Sequence, residues 1–167
     1  MTTIRCTAKL RKRLRIPDAV EPPPPSNRLG DWFANIIFTR HSHFVLLVSE
    51  RSLLPVLTTA RDLDNLVPRF VGCLSDLLHS LEVPAIQIDR EIELMQPIGF
   101  GRTNSRVVLG SMNDFIQIFK YALPRYQEAT PLDWSQLLAR TPCGPIDMER
   151  PLVLATRLLS DSAAPTR

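Results

Sequence analysis

At 167 residues, with 44% hydrophobic and 22% charged residues, the chain has the length and balance of one globular domain rather than of a disordered or fibrous protein. Its net charge of +3 is concentrated near the start: Arg5, Lys9, Arg11, Lys12, Arg13 and Arg15 all precede the first acidic residue, Asp18, so the first 17 residues carry +6 and the remainder −3. No apolar run approaches the ~20 residues of a membrane span, no signal-peptide hydrophobic region opens the chain, and Cys6, Cys73 and Cys143 form neither a disulfide framework nor a CxxC site. A cytoplasmic protein with reduced thiols, no metal and no cofactor is therefore expected.

In chain order, residues 3–6 suit a short strand, and Thr7 caps a short basic amphipathic helix over 8–15, with Leu10 and Leu14 on one face. Pro17 and the run Pro22, Pro23, Pro24 and Pro25 favour an extended conformation, making 17–28 a surface connection. Residues 29–60, LGDWFANIIFTRHSHFVLLVSERSLLPVLTTA, hold three apolar, β-branched and aromatic runs separated by two short polar breaks, which predicts three successive antiparallel strands. In the first of these, Trp32, Ala34, Ile36 and Phe38 alternate with Phe33, Asn35, Ile37 and Thr39, so both faces are apolar and the strand is central.

Helical spacing of Leu66, Phe70, Leu74, Leu77, Leu78 and Leu81 predicts the main core helix, with Asn65 as its cap. A second helix over 85–95 sets Ile88, Ile92 and Met95 against a solvent side of Asp89, Glu91 and Glu93. PIGFGRTN at 97–104 reads as a turn or a short extra strand. A strong helix then starts near Met112, with Ser111 and Asp114 at the spacing of a capping box. Shorter helices follow Thr130-Pro131 and Pro151, and a polar tail over 161–167 is expected to fray.

Four blocks stand out in order: IRCTAKL at 4–10, LGDWFAN at 29–35, VLGSMNDF at 108–115 and TPCGPI at 141–146. Together they resemble a family of small bacterial proteins described as a domain of unknown function. The resemblance implies a compact α+β domain covering nearly the full chain and carries over no catalytic residue. The proline run is longer than is usual in the family.

The best local candidate for an anion site is the loop at 99–106, where Arg102, Thr103, Asn104 and Arg106 precede a helix start at Ser111; arginines and free helix amides suit phosphate or carboxylate. Its spacing matches neither a P-loop nor a dinucleotide fingerprint. Lys9, Arg11, Lys12, Arg13 and Arg15 offer electrostatic contact with nucleic acid, without the interleaved aromatics of a single-strand binder or a recognised DNA-binding motif. Cys143 in its Pro-Gly loop reads as a packed small residue, His41 and His43 as exposed turn residues, and His79 as the edge of the core helix. Turn and capping roles account for Asp31, Glu50 and Asp114.

The expected architecture is one α+β domain over 1–160, an antiparallel sheet of three to five strands led by the 29–60 meander and covered by helices. With no convincing nucleophile or metal set, the sequence points to a non-enzymatic binding or regulatory domain contacting a protein partner or small ligand. A small enzyme or ligand-binding protein holding an anion at 99–106 is the alternative. Nucleic-acid contact through the basic N-terminus is the third.

Overall fold

Five strands form one sheet in the computed structural model, which describes residues 1–18 and 20–161. They are β1 (Thr2–Cys6), β2 (Trp32–Phe38), β3 (His43–Ser49), β4 (Pro55–Thr59) and β5 (Ile98–Arg102), in the spatial order β4-β3-β2-β1-β5. The meander is as the sequence predicts, with Asn35 opposite Leu46 and Leu46 opposite Leu57 in antiparallel register. The sheet as a whole is mixed, not antiparallel. β1 runs parallel to β2, with Ile4 beside Trp32, and parallel to β5, with Thr2 beside Ile98. The reason lies in the connections: only long crossovers bring a strand back in the same direction, and residues 7–31 and 60–97 supply two of them.

The first crossover contains α1 (Ala8–Leu14), capped by Thr7, and the second contains α2 (Leu66–Ser80) and α3 (Ala85–Met95). After β5 come α4 (Arg106–Ala122), α5 (Pro131–Ala139) and α6 (Pro151–Ser160). The alternation in β2 divides the core into two layers. Trp32, Ala34 and Ile36 pack with Leu10, Phe70, Leu74, Ile88 and Leu159 on one face, while Phe33 and Ile37 pack with Met112, Phe115, Phe119 and Trp134 on the other. Edge-on ring contacts tie helices to each layer, Trp32 to Phe70 at 4.9 Å and Phe119 to Trp134 at 4.9 Å.

The outer edge of β4 is covered by α5. Its Leu132 and Ala139 join the first layer and its Trp134 and Leu138 the second, and the Leu57 amide donates to Ser135 Oγ at 2.8 Å. A side chain thus satisfies a backbone donor on the exposed side of the strand. This helix carries a full capping box between Thr130 and Asp133.

At the amino ends of the parallel strands, two acidic residues are buried and fully engaged. Asp31 accepts from the Thr3 amide and from Arg5 Nε, both at 2.9 Å, and Gly30 before it adopts φ +80°, where an added Cβ would stand 2.8 Å from Glu50 Oε2. Glu50 in turn accepts from the Asp31 amide at 3.1 Å. Glu91, expected on the solvent side of α3, is instead only 1% exposed. Its carboxylate accepts from Asn27 Nδ2 at 2.8 Å and from the amides of Arg28 and Leu29, each at 2.9 Å. A tight buried turn needs an acceptor for these amides, and that requirement outweighs the helical pattern.

Two further expectations are corrected. α4 begins at Arg106, capped by Ser105, whose side chain accepts from the Val108 amide at 3.3 Å. Ser111 therefore lies buried in its second turn, and the capping box expected with Asp114 is not the helix start. Gly110 lies within α4 on its exposed side, where an added Cβ would meet nothing. The proline-rich connection is more than a surface spacer: it lies against the β1–β5 half of the second face, with Pro22 3.9 Å from where a Cβ on Gly101 would stand. The tail predicted to fray falls, from 162 onward, outside the described residues.

Candidate functional site

Strand directions bring cations from several segments to one edge of the sheet. β1, β2 and β5 all end there, at Cys6, Phe38 and Arg102, and the helices that follow β1 and β5 depart to opposite faces, α1 with the first core layer and α4 with the second. Crevices outside the carboxyl ends of parallel strands at such a divergence are the usual ligand position in open sheets. In this chain that end of the sheet is bordered by cations. Lys9 Nζ and the Arg13 guanidinium lie over the Phe38 ring at 5.0 Å and 4.9 Å from its centroid, holding α1 across the end of β2. Arg11 and Arg102 both pair with Asp18, and Arg102 Nε donates to Asp18 Oδ1 at 3.2 Å.

The residues singled out from the sequence are thus brought together in part. Lys9, Arg11, Lys12, Arg13 and Arg15 share this edge with Arg102, Thr103, Asn104 and Arg106, whereas Ser111 is buried inside α4 and does not contribute. Among the described residues, Lys12, Arg15, Arg40 and Arg106 are in no ion pair. Arg40, absent from the sequence candidates, follows β2 at the tip of the β2–β3 hairpin. There it borders a cleft of about 540 Å³ floored by Phe44, Leu123 and Pro124. Asp18 was equally unforeseen as a partner. No local motif links residue 18 to residue 102, and only the parallel pairing of β1 with β5 does.

The matching family model spans residues 3–153 and is described as "Domain of unknown function (DUF6933)". The chain belongs to this family. No curated protein and no solved structure matches the DUF6933 chain.

Two cysteines and two histidines have structural surroundings. Burial pushes the Cys143 thiol up to about 11, helped by the nearby negative charge of Asp114, and burial pushes Cys6 up to about 12. Both are the opposite of an activated nucleophile. His79 Nδ1 bonds the Ser75 carbonyl of its own helix at 2.8 Å, and His43 stands edge-on to Phe38 with Nδ1 3.1 Å from the Ser42 carbonyl. Among the described residues, no group of three or more His, Cys, Asp or Glu side chains is placed to hold a metal ion, and no helix is long and apolar enough to cross a membrane.

Proposed function

We propose that this DUF6933 protein is a non-enzymatic binding domain that takes the phosphate backbone of a nucleic acid along the carboxyl-end edge of its sheet. The observation that carries this reading is that cations from three separate segments, α1, the β2–β3 hairpin and the β5–α4 loop, meet at that one edge. Adjacent strands lie about 4.8 Å apart, so an edge running from β5 to β2 spans more than one phosphate. A single small anion would use only part of it. Exposed Lys12, Arg15, Arg40 and Arg106 supply charge without first breaking an ion pair.

The reading predicts sequence-independent binding that weakens steeply with salt, because neutralised phosphates release counterions. Fluorescence anisotropy of a labelled oligonucleotide across a salt titration measures this directly. The double variant Lys12→Glu with Arg15→Glu alters two exposed side chains on α1 and should reduce the magnitude of the salt slope by about two phosphate contacts' worth. An oligonucleotide that fails to bind at low salt, or a slope identical in the variant, refutes the proposal. Substitution is the right perturbation here: deleting residues 1–17 removes β1 from between β2 and β5.

A further inference from the structure

Building on the nucleic-acid reading, we propose that Arg11 and Arg102 form a phosphate site that Asp18 occupies in the free protein, so that a ligand phosphate binds by displacing the Asp18 carboxylate. Two guanidinium groups, one from α1 and one from the end of β5, converge on the same oxygen, Asp18 Oδ1. Paired arginine forks around one oxyanion are the arrangement that recognises phosphate, and a carboxylate is the nearest substitute within a protein chain.

The segment carrying Asp18 is held weakly enough to leave. Pro17, Asp18, Val20 and Glu21 are all exposed, and Val20 reaches 90%, so among the described residues of this part of the connection no buried apolar side chain anchors it. The later half is fixed independently. Pro22 rests near Gly101, Asn27 bonds Thr2 and Glu91, and Ser26 bonds the Met1 amine and the Leu94 carbonyl. Displacement at Asp18 therefore leaves the rest of the connection in place.

The Glu21–Arg5 pair shows the contrast. Arg5 is 4% exposed and also bonds Asp31 and the Arg102 carbonyl, so its role is to join β1, β2 and β5. Arg102 has a side chain 60% exposed, and Asp18 one 67% exposed, open to an incoming ligand. Beside this pair a small cavity of about 30 Å³, lined among others by Arg11, Pro17, Val20 and Arg102, has room for a water molecule. A phosphate held by both arginines takes the place of the Asp18 carboxylate, so binding requires Asp18 to move away. Hydrogen bonds and charge from Arg102, followed by Arg11, hold the Asp18 carboxyl below the ordinary aspartate range, so it remains an anionic competitor at neutral pH.

The probe is inorganic pyrophosphate, titrated calorimetrically into the full chain, with Asp18→Asn and Asp18→Asn/Arg102→Gln beside the wild type. If the segment is closed about nine-tenths of the time, Asp18→Asn should bind about tenfold more tightly than wild type. Adding Arg102→Gln should abolish that gain. Equal affinity in wild type and Asp18→Asn, a gain that survives Arg102→Gln, or no binding by any variant each overturns the proposal. The two substituted side chains are solvent-facing in the free protein, and unchanged thermal unfolding verifies the fold. Oligonucleotide anisotropy on the same samples separates the two readings. Salt-dependent oligonucleotide binding without a pyrophosphate response rejects the Asp18 site alone; the reverse pattern rejects the nucleic-acid reading alone.

Discussion

Glu91 offers the most direct test of how this fold is held together. Its carboxylate receives three buried donors: Asn27 Nδ2 and the Leu29 amide on Oε1, and the Arg28 amide on Oε2. Glu91→Ala leaves the Arg28 and Leu29 amides without this acceptor and removes one of the two bonds from Asn27 Nδ2, which keeps its bond to the Gly30 carbonyl. A buried donor stripped of its partner costs about 1–3 kcal/mol, and such costs add incompletely when the groups share one site, so the expected loss is about 3–5 kcal/mol. The better helix propensity of alanine returns only a few tenths. Against a total stability of about 5–15 kcal/mol this is a large fraction. Glu91→Gln is the informative control, because one amide oxygen can still accept the two bonds made to Oε1 while the NH₂ group opposes the Arg28 amide. Its expected cost is smaller, about 1–2 kcal/mol. Urea unfolding monitored by Trp32 and Trp134 fluorescence measures both, and with a slope of about 2 kcal/mol/M the alanine variant should lose about 1.5–2.5 M of midpoint. An alanine variant that loses less than about 1 kcal/mol, or a glutamine variant that loses as much as alanine, refutes the hydrogen-bond account.

Gly30→Ala places a Cβ at φ +80° and 2.8 Å from Glu50 Oε2, so it should destabilise by about 1–3 kcal/mol; an unchanged melting temperature contradicts the strain argument. The Thr130 amide and hydroxyl hold the Asp133 carboxyl below its ordinary value. Its stabilising contribution is therefore present above the unfolded aspartate range and is lost as pH falls through the lower folded value. The difference between wild type and Asp133→Asn should be fullest at pH 7 and close on acidification, and a gap that persists below pH 2 argues against the cap. Disulfide-exchange reagents at pH 8 should label half-buried Cys73 first and leave Cys6 and Cys143 slow, their thiols lying near 12 and 11. A fast phase that survives Cys73→Ser overturns that order.

The parts of the fold legible in the sequence are those fixed by neighbours in the chain. The meander, the two-sided burial of β2, and α3 over Ala85–Met95 follow from periodicity and punctuation alone. Long-range placement was not legible. Nothing local in TTIRC or IGFGR specifies that these strands lie side by side and parallel, and the Arg11–Asp18–Arg102 cluster exists only because they do. Glu91 shows a different limit. Its place in a helical pattern assigns it to solvent, while the bare amides of Arg28 and Leu29 draw it inside. Of the candidate loop at 99–106, residues 99–102 lie in β5 and Arg106 opens α4, so only 103–105 form a loop and Ser111 could not belong to it.

The two ends of the sheet use charge in opposite ways. At the amino ends of the parallel strands Asp31 and Glu91 are buried, and their oxygens are satisfied by backbone and side-chain donors, so they act in folding and project little outward. At the carboxyl ends most of the cations are exposed, and Arg102 and the half-buried Arg11 share Asp18 as a carboxylate partner. A net charge of only +3 therefore understates the field at that edge. What steers a polyanion is the local distribution of charge, which decays over about 10 Å at 0.1 M salt. Neutralising Asp18 raises that local field without moving any cation, which is why its removal, rather than the addition of new positive charge, is the sharper perturbation of binding at this edge.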